Sequence, residues 1–203
     1  QMAVEALSSR RFTRAYSEAH HLVHHPERLE QLAHSGQGGV FVTAHMGNWE
    51  LLGLFAGLRG VPLHVLGSVQ KFPRLNHLLN QLRETHGAVA INRGSGLRAL
   101  FRALREKKLI GVLGDQSAGK DGGILLPFFG RRTTVPDGIY ELAQRAGVAM
   151  LPCFMVRTRG IDHEIFFEEF LKDDPSLEPG ARVEFQMRQY LRLLEQYIER
   201  FPG

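Results

Sequence analysis

Two side chains capable of proton transfer stand close together in the first quarter of the chain. His45 and Glu50 have four residues between them in His45-Met46-Gly47-Asn48-Trp49-Glu50, directly after the apolar run Val40-Phe41-Val42-Thr43-Ala44. An imidazole can take a proton from a hydroxyl near neutral pH. A carboxylate beside it orients the ring and balances the imidazolium charge. Gly47 permits a tight turn, and Asn48 suits the N-cap of a helix starting at Trp49. Glu50 then falls in the first helical turn, where the helix dipole favours a carboxylate and from where its side chain can fold back toward His45. Each of these residues also fits a structural role, His45 as a half-buried histidine and Glu50 as a first-turn acid. Trp49 reads as packing or pocket wall.

Further chemical handles follow other apolar runs. Strand-like segments are expected at 40–44, 62–67, 88–91 and 109–113, and each ends on a polar residue: His45, Ser68, Asn92-Arg93 and Asp115. In open α/β sheets, sites form at the carboxyl ends of the strands. If these strands are parallel, the four ends share one rim. Asp115 could hold the His45 ring or line an acceptor site, and it equally suits a turn residue bonded to its own backbone. Arg93 lies where the turn Asn92-Arg93-Gly94-Ser95-Gly96 enters a helix, an arrangement suited to a phosphate. The turn lacks the spacing of a Walker A or dinucleotide fingerprint. Lys71, Arg74, Arg131 and Arg132 are further anion candidates or simple surface charge.

The elements that would position these residues alternate. Helices are expected over 2–24, 27–33, 48–58, 73–86, 95–107, 137–146 and about 180–201. Pro73 suits a first turn, and Leu75, Leu78, Leu79 and Leu82 share one face. In the last helix Val183, Met187, Tyr190, Leu194, Tyr197 and Phe201 follow a 4-3-4-3-4 spacing that marks one buried face. Residues 115–136 read as a long glycine-containing loop, and two more strands are expected at 148–157 and 163–169. The pattern predicts an α/β fold with a mainly parallel central sheet flanked by helices. His20, His21, His24 and His25 read as a solvent-facing helix end, with metal binding a lesser reading because no acidic or cysteine partner is close in sequence.

Composition narrows the classes. At 203 residues and 43% hydrophobic content the chain suits one domain with a sizeable core. No apolar run approaches the ~20 residues that span a bilayer. The single cysteine, Cys153, lies in an apolar run and reads as a buried thiol. The net charge of +4 is mild, and no basic run carries interleaved aromatics, so nucleic acid is disfavoured as a partner.

Thr43-Ala44-His45-Met46-Gly47-Asn48-Trp49-Glu50 resembles the signature of the bacterial lipid A biosynthesis (late, lauroyl/myristoyl) acyltransferase family. That family lies within the lysophospholipid acyltransferase superfamily, marked by His, four residues, then Asp or Glu. Two further blocks carry the resemblance: Gly114-Asp115-Gln116 with Leu126-Pro127-Phe128-Phe129-Gly130-Arg131 and Thr133-Thr134, then Leu142-Ala143-Gln144-Arg145-Ala146-Gly147 before the strand at 148–157. The three blocks in order span residues 37–157.

The resemblance implies a glycerolipid-acyltransferase-like fold. It implies transfer of a fatty acyl group from an acyl carrier protein or coenzyme A thioester to a hydroxyl of a lipid or glycolipid, with a lipid A-type acceptor favoured. His45 would be the base, Glu50 its partner, and Asp115 the acidic residue of the second block, near the histidine. Asn48, Ser68, Lys71, Arg74, Arg93, Gln116 and Arg131 are the candidate substrate-binding residues. Phe128 and Phe129 suit an acyl groove or plain core packing. No metal and no other cofactor is expected, since the thioester is a substrate. Such enzymes sit on the cytoplasmic face of the bacterial inner membrane, often through an N-terminal apolar helix. The chain opens at Gln1 without that helix, so the expectation is a single acyltransferase domain over 1–203 lacking a native membrane segment, with peripheral membrane association. A metal-dependent hydrolase using the same His, Glu and Asp, and a non-catalytic lipid-binding module, are the alternatives.

Overall fold

The computed structural model describes residues 12–67, 73–85, 87–92, 96–119 and 122–202. In chain order the elements are α1 (Arg14–His20), β1 (His21–His24), α2 (Pro26–His34), β2 (Gly39–Thr43), α3 (Trp49–Leu58), β3 (Leu63–Gly67), α4 (Pro73–Thr85), β4 (Val89–Asn92), α5 (Gly96–Arg105), β5 (Leu109–Leu113), β6 (Ile124–Phe128), β7 (Arg131–Val135), α6 (Gly138–Ala146), β8 (Met150–Arg159), β9 (Asp162–Phe167) and α7 (Pro179–Arg200). Among the described residues seven strands form one sheet in the order β1-β9-β8-β2-β5-β3-β4. Strands β8, β2, β5, β3 and β4 are parallel neighbours; β9 is antiparallel to β8, and β1 is parallel to β9. This is the expected α/β architecture.

Side chains alternate across the sheet and divide the core in two. Val40, Val42, Ile110, Met150 and Phe154 point to one face, which α5, α6 and α7 cover. Phe41, Leu109, Leu151, Cys153 and Met155 point to the other, which α2 and α3 cover. A strand buried on both faces must read as a continuous apolar run, and β2 and β8 do. Burial of the Cys153 thiol pushes its pKa well above the ordinary cysteine value, so it stays protonated. In α7 the residues Val183, Met187, Tyr190, Leu194 and Tyr197 are all buried, as their spacing predicts.

Three expectations are corrected. The segment 115–136 is not a structureless loop: β6 and β7 form an antiparallel hairpin. Phe129 and Gly130 turn it, with φ of 49° and 71°. Positive φ at both central residues is what a tight two-residue hairpin turn needs. The glycines and Pro127 mask the strands in sequence, because a proline is tolerated in a two-stranded ribbon where it would break a central ladder. The helix expected over 2–24 is described only from residue 14 and ends at His20; residues 2–11 lie outside the described residues. His21–His24 is a strand, because β9 supplies a ladder for its backbone groups. The histidines there are not a solvent-facing helix end. His20 Nδ1 lies 2.8 Å from Asp162, His24 Nε2 lies 2.7 Å from Glu164, and His21 is buried.

Candidate active site

Strand register builds the site. Thr43 of β2 is paired with Leu113 of β5, so the residues two beyond each, His45 and Asp115, leave the sheet side by side. Asp115 Oδ1 is 2.8 Å from His45 Nδ1, and its Oδ2 accepts the His45 backbone N–H at 2.7 Å. A carboxylate there selects the tautomer with the proton on Nδ1 and leaves Nε2 as the basic nitrogen. The His45 side chain is 37% exposed and that of Asp115 21%, so the ring is held from behind and open in front. Trp49 stands edge-on to the ring at 5.6 Å between centroids.

The end of β2 is anchored from the core. The Thr43 carbonyl accepts a hydrogen bond from the Gly114 amide at 2.7 Å and another from the Tyr190 hydroxyl of α7 at 2.7 Å. Burial raises the Tyr190 pKa well above its ordinary value, so the hydroxyl remains a donor. Gly47, with φ of 57°, passes so close to β8 that an added Cβ would sit 2.1 Å from the Met155 carbonyl oxygen. Asn48 is fully buried and caps α3, its Oδ1 accepting the Leu51 N–H at 3.3 Å.

Glu50 takes a different partner. Arg83 of α4 grips it with two nitrogens, Nε donating to Oε2 at 3.0 Å and Nη2 to Oε1. Both side chains are nearly buried, at 11% exposure for Arg83 and 13% for Glu50. The carboxylate on the His45 ring is therefore Asp115, and the Glu50 carboxylate joins α3 to α4.

In front of His45 lies a cleft of about 750 Å³. Strand β8 is longer than β2 and runs on past the rim, so Val156, Arg157, Thr158 and Arg159 form one wall. Leu194, Ile198, Arg200 and Phe201 at the end of α7 form another, and Phe128 of the hairpin closes a third side. Apolar side chains beside a histidine held by a carboxylate suit proton transfer on a ligand with a long chain.

Of the other sequence candidates, Arg74, Gln116 and Arg131 are exposed and do not line this cleft. Ser68, Lys71 and Arg93 lie outside the described residues. Phe129 is exposed at the hairpin turn. Arg83, Arg157, Arg159 and Arg200 carry no motif that marks them in sequence, and Tyr190, expected only on the buried face of the last helix, also reaches the site. The length of the 148–157 run beside the shorter 40–44 run was the available sign that a strand end would overhang the rim. Among the described residues no group of three or more His, Cys, Asp or Glu could hold a metal ion, and no helix is long and apolar enough to cross a membrane.

Comparison with known proteins bears on this site. The model of a family described as bacterial lipid A biosynthesis acyltransferase matches residues 3–202. A phosphatidylinositol mannoside acyltransferase of Mycobacterium tuberculosis is 25% identical over 130 residues, covering 62% of this chain and 41% of that protein. A lipid A biosynthesis acyltransferase of Haemophilus influenzae is 22% identical over 160 residues, covering 77% of this chain and 50% of that protein. A lipid A biosynthesis palmitoleoyltransferase of Escherichia coli is 24% identical over 181 residues, covering 85% and 57%. The chain thus spans about half the length of the curated relatives it matches.

Proposed function

Because this chain belongs to the family of bacterial lipid A biosynthesis acyltransferases, we propose that its His45 cleft transfers a fatty acyl chain from a thioester to a hydroxyl of a glycolipid. The donor is an acyl carrier protein or coenzyme A thioester, and a lipid A-type acceptor is favoured. The observation that carries this reading is the two-point hold of Asp115 on His45 at a cleft partly walled by Phe128, Leu194, Ile198 and Phe201.

In this mechanism His45 Nε2 takes the proton of the acceptor hydroxyl as its oxygen attacks the thioester carbonyl carbon. The carbonyl oxygen becomes an oxyanion, for which backbone N–H groups at the Gly47 turn are the proposed donors. The Asp115 carboxylate stabilises the imidazolium. The intermediate collapses with cleavage of the carbon–sulfur bond, and the imidazolium returns its proton to the departing thiolate. The ester and free thiol balance the reaction with no cofactor. Glu50 serves as a positioning residue, through Arg83. The acyl chain lies against Phe128, Leu194, Ile198 and Phe201. Asn48 serves the site by capping α3, and Ser68, Lys71, Arg74, Arg93, Gln116 and Arg131 remain proposed substrate contacts.

Peripheral association with the cytoplasmic face of the inner membrane belongs to the same reading. Leu125 and Phe129 of the hairpin are each 45% exposed, close to the exposed Arg131 and Arg132, a pairing suited to an anionic bilayer surface.

The test is mass spectrometry of products from purified protein given acyl thioesters and candidate glycolipids, with a His45→Ala variant. The variant should lose transfer while keeping the wild-type melting temperature, and a chelator should leave the wild-type rate unchanged. Near-normal turnover by His45→Ala would overturn the assignment, chelator-sensitive hydrolysis would favour a metal hydrolase, and acyl-chain binding without turnover would indicate a carrier.

A further inference from the structure

Helix α5 is divided along its length. Leu100, Ala103 and Leu104 are buried in the core, and Arg98, Arg102 and Arg105 are exposed on the opposite side. The arginines stand at i, i+4 and i+7, a spacing that sets them in one row about 10 Å long over two turns. With Phe101 and Glu106 they line an open depression of about 400 Å³. None of the three has an ion-pair partner among the described residues. Glu106 is the one carboxylate at the depression, and the exposed Lys107 and Lys108 follow it, so five cations stand against one acid between residues 98 and 108. On the neighbouring α6, Glu141 is held by Arg145 at 3.1 Å, and Asp137 pairs with none of the three arginines.

A row of three guanidinium groups beside a partly buried phenylalanine fits a helix that carries carboxylates at the same spacing, with one of its apolar side chains in the depression. A bilayer contact needs apolar side chains that stand out from the surface, and the large exposed hydrophobics Leu22, Val89, Leu125, Phe129 and Ile161 all lie outside α5. A nucleotide carries its phosphates in one cluster, not along two helical turns. Of the two donor carriers, only the protein has a helix to offer. Helix α5 begins at Gly96, shortly after β4 ends at Asn92, and β4 runs parallel with β3, β5 and β2. The row therefore starts on the His45 side of the sheet and runs away from it. A carrier protein delivers its thioester on an extended arm, so its docking face stands apart from the reacting atoms. We infer that the row of Arg98, Arg102 and Arg105 is the docking face for an acidic helix of the acyl carrier protein that brings the thioester. The inference rests on the acyl-transfer reading and names its donor.

Direct binding tests it without turnover. The probe is a fluorescently labelled bacterial acyl carrier protein whose dodecanoyl chain is attached through a non-hydrolysable amide, titrated with wild type and with an Arg102→Glu/Arg105→Glu variant. Wild type should bind with an affinity that falls as salt is added. The variant should lose about tenfold or more while keeping the wild-type melting temperature. Lysines placed on the carrier's most acidic helix should return affinity to the variant and remove it from wild type. An unchanged affinity in the variant, or no return with the lysine-bearing carrier, overturns the docking face. If the reversed charges prevent folding, Arg102→Gln/Arg105→Gln is read the same way, with an expected loss of about threefold.

Kinetics separate the carrier from the other anionic partners. The dodecanoyl thioester of the carrier protein is compared with that of coenzyme A. In the charge-reversed variant KM should rise about tenfold for the carrier thioester and stay at the wild-type value for coenzyme A, with kcat unchanged for both. Equal rises for the two donors overturn the docking face, because they place the arginines at a site that both donors enter. Vesicles of phosphatidylglycerol and phosphatidylcholine supply the membrane control. Wild type and variant should sediment with them equally, and a variant that loses vesicle binding gives the row to the bilayer and overturns the assignment. If wild type transfers from neither donor to any acceptor, the acyl-transfer reading fails, and the binding measurements alone decide the docking face.

Discussion

Asp115 accepts two hydrogen bonds from one residue, from the amide of His45 and from its ring, so a single carboxylate fixes both where the histidine stands and which nitrogen carries the proton. An amide in its place keeps the shape but presents an NH2 as readily as an oxygen to Nδ1, and it no longer balances an imidazolium. Asp115→Asn should therefore lower kcat by about 10²–10⁴-fold with little change in KM, measured in steady-state transfer assays; a wild-type kcat would assign the orientation of the ring to another group. Gly47 makes a second residue-scale prediction. A methyl group 2.1 Å from the Met155 carbonyl cannot be accommodated without moving β8 or the turn. Gly47→Ala should cost about 2 kcal/mol or more in denaturant unfolding. Both His45 and Asp115 are legible in sequence as polar residues following apolar runs. Their pairing is not, because it depends on the alignment of Thr43 with Leu113 across 70 residues of chain, while Glu50, close in sequence, is drawn away by an arginine on another helix.

At the scale of elements, the His45 turn hangs between β2, α3 and α7. Tyr190 ties the end of β2 to α7 through the Thr43 carbonyl, which keeps the Gly114 amide as a second donor when the hydroxyl is removed. Tyr190→Phe should cost about 1 kcal/mol of stability and lower kcat more than it changes KM, read by thermal unfolding and kinetics on the same preparation. The Glu50–Arg83 pair ties α3 to α4. Removing either partner strands the other charge in a site only about one-tenth open to solvent, at a cost of about 2–4 kcal/mol. If Glu50 acts through Arg83, then Glu50→Gln and Arg83→Met should each reduce stability and transfer to a similar extent, and the double variant should be little worse than either single one. A much larger loss of activity for Glu50→Gln alone would instead place its carboxylate in the chemistry. The helices and strands that carry these contacts are mostly readable from periodicity and caps. The β6–β7 hairpin is not, because its glycines and proline are turn signals whose strand context exists only once the two arms pair.

The molecule as a whole carries an acid-sensitive edge. His21 is buried between α1 and the β1–β9 ladder, beside His163 and His20, with its Nδ1 3.1 Å from the Ser17 hydroxyl. Burial, and then repulsion from His163 and His20, lowers its pKa from 6.5 to about 4, against a weaker opposing pull from Asp162. Between these values the unfolded chain binds a proton that the folded chain does not, so stability must fall as pH drops from about 6.5 toward 4, by at most roughly 3 kcal/mol from this residue. Above 6.5 His21 is neutral in both states and contributes no slope. His21→Phe, which keeps an aromatic ring among Phe12, Tyr16 and Phe55, should flatten this acid limb. Melting temperatures of both proteins across that window are the check, and parallel curves would assign the limb to other groups.

The amino-acid sequence by itself determined the alternation of strands and helices, the double-sided core, the buried face of α7 and the presence of His45 and Asp115 at strand ends. These are local properties: spacing, caps and burial patterns hold whatever the rest of the chain does. Tertiary structure decided which carboxylate holds the ring, which residue neutralises Glu50, and which arginines face the cleft. Those outcomes depend on strand order, register and the overhang of β8 beyond β2, distances set between segments far apart in the chain. A histidine with two acidic candidates has no preference written into its own neighbourhood. The pairing of β2 with β5 supplies it.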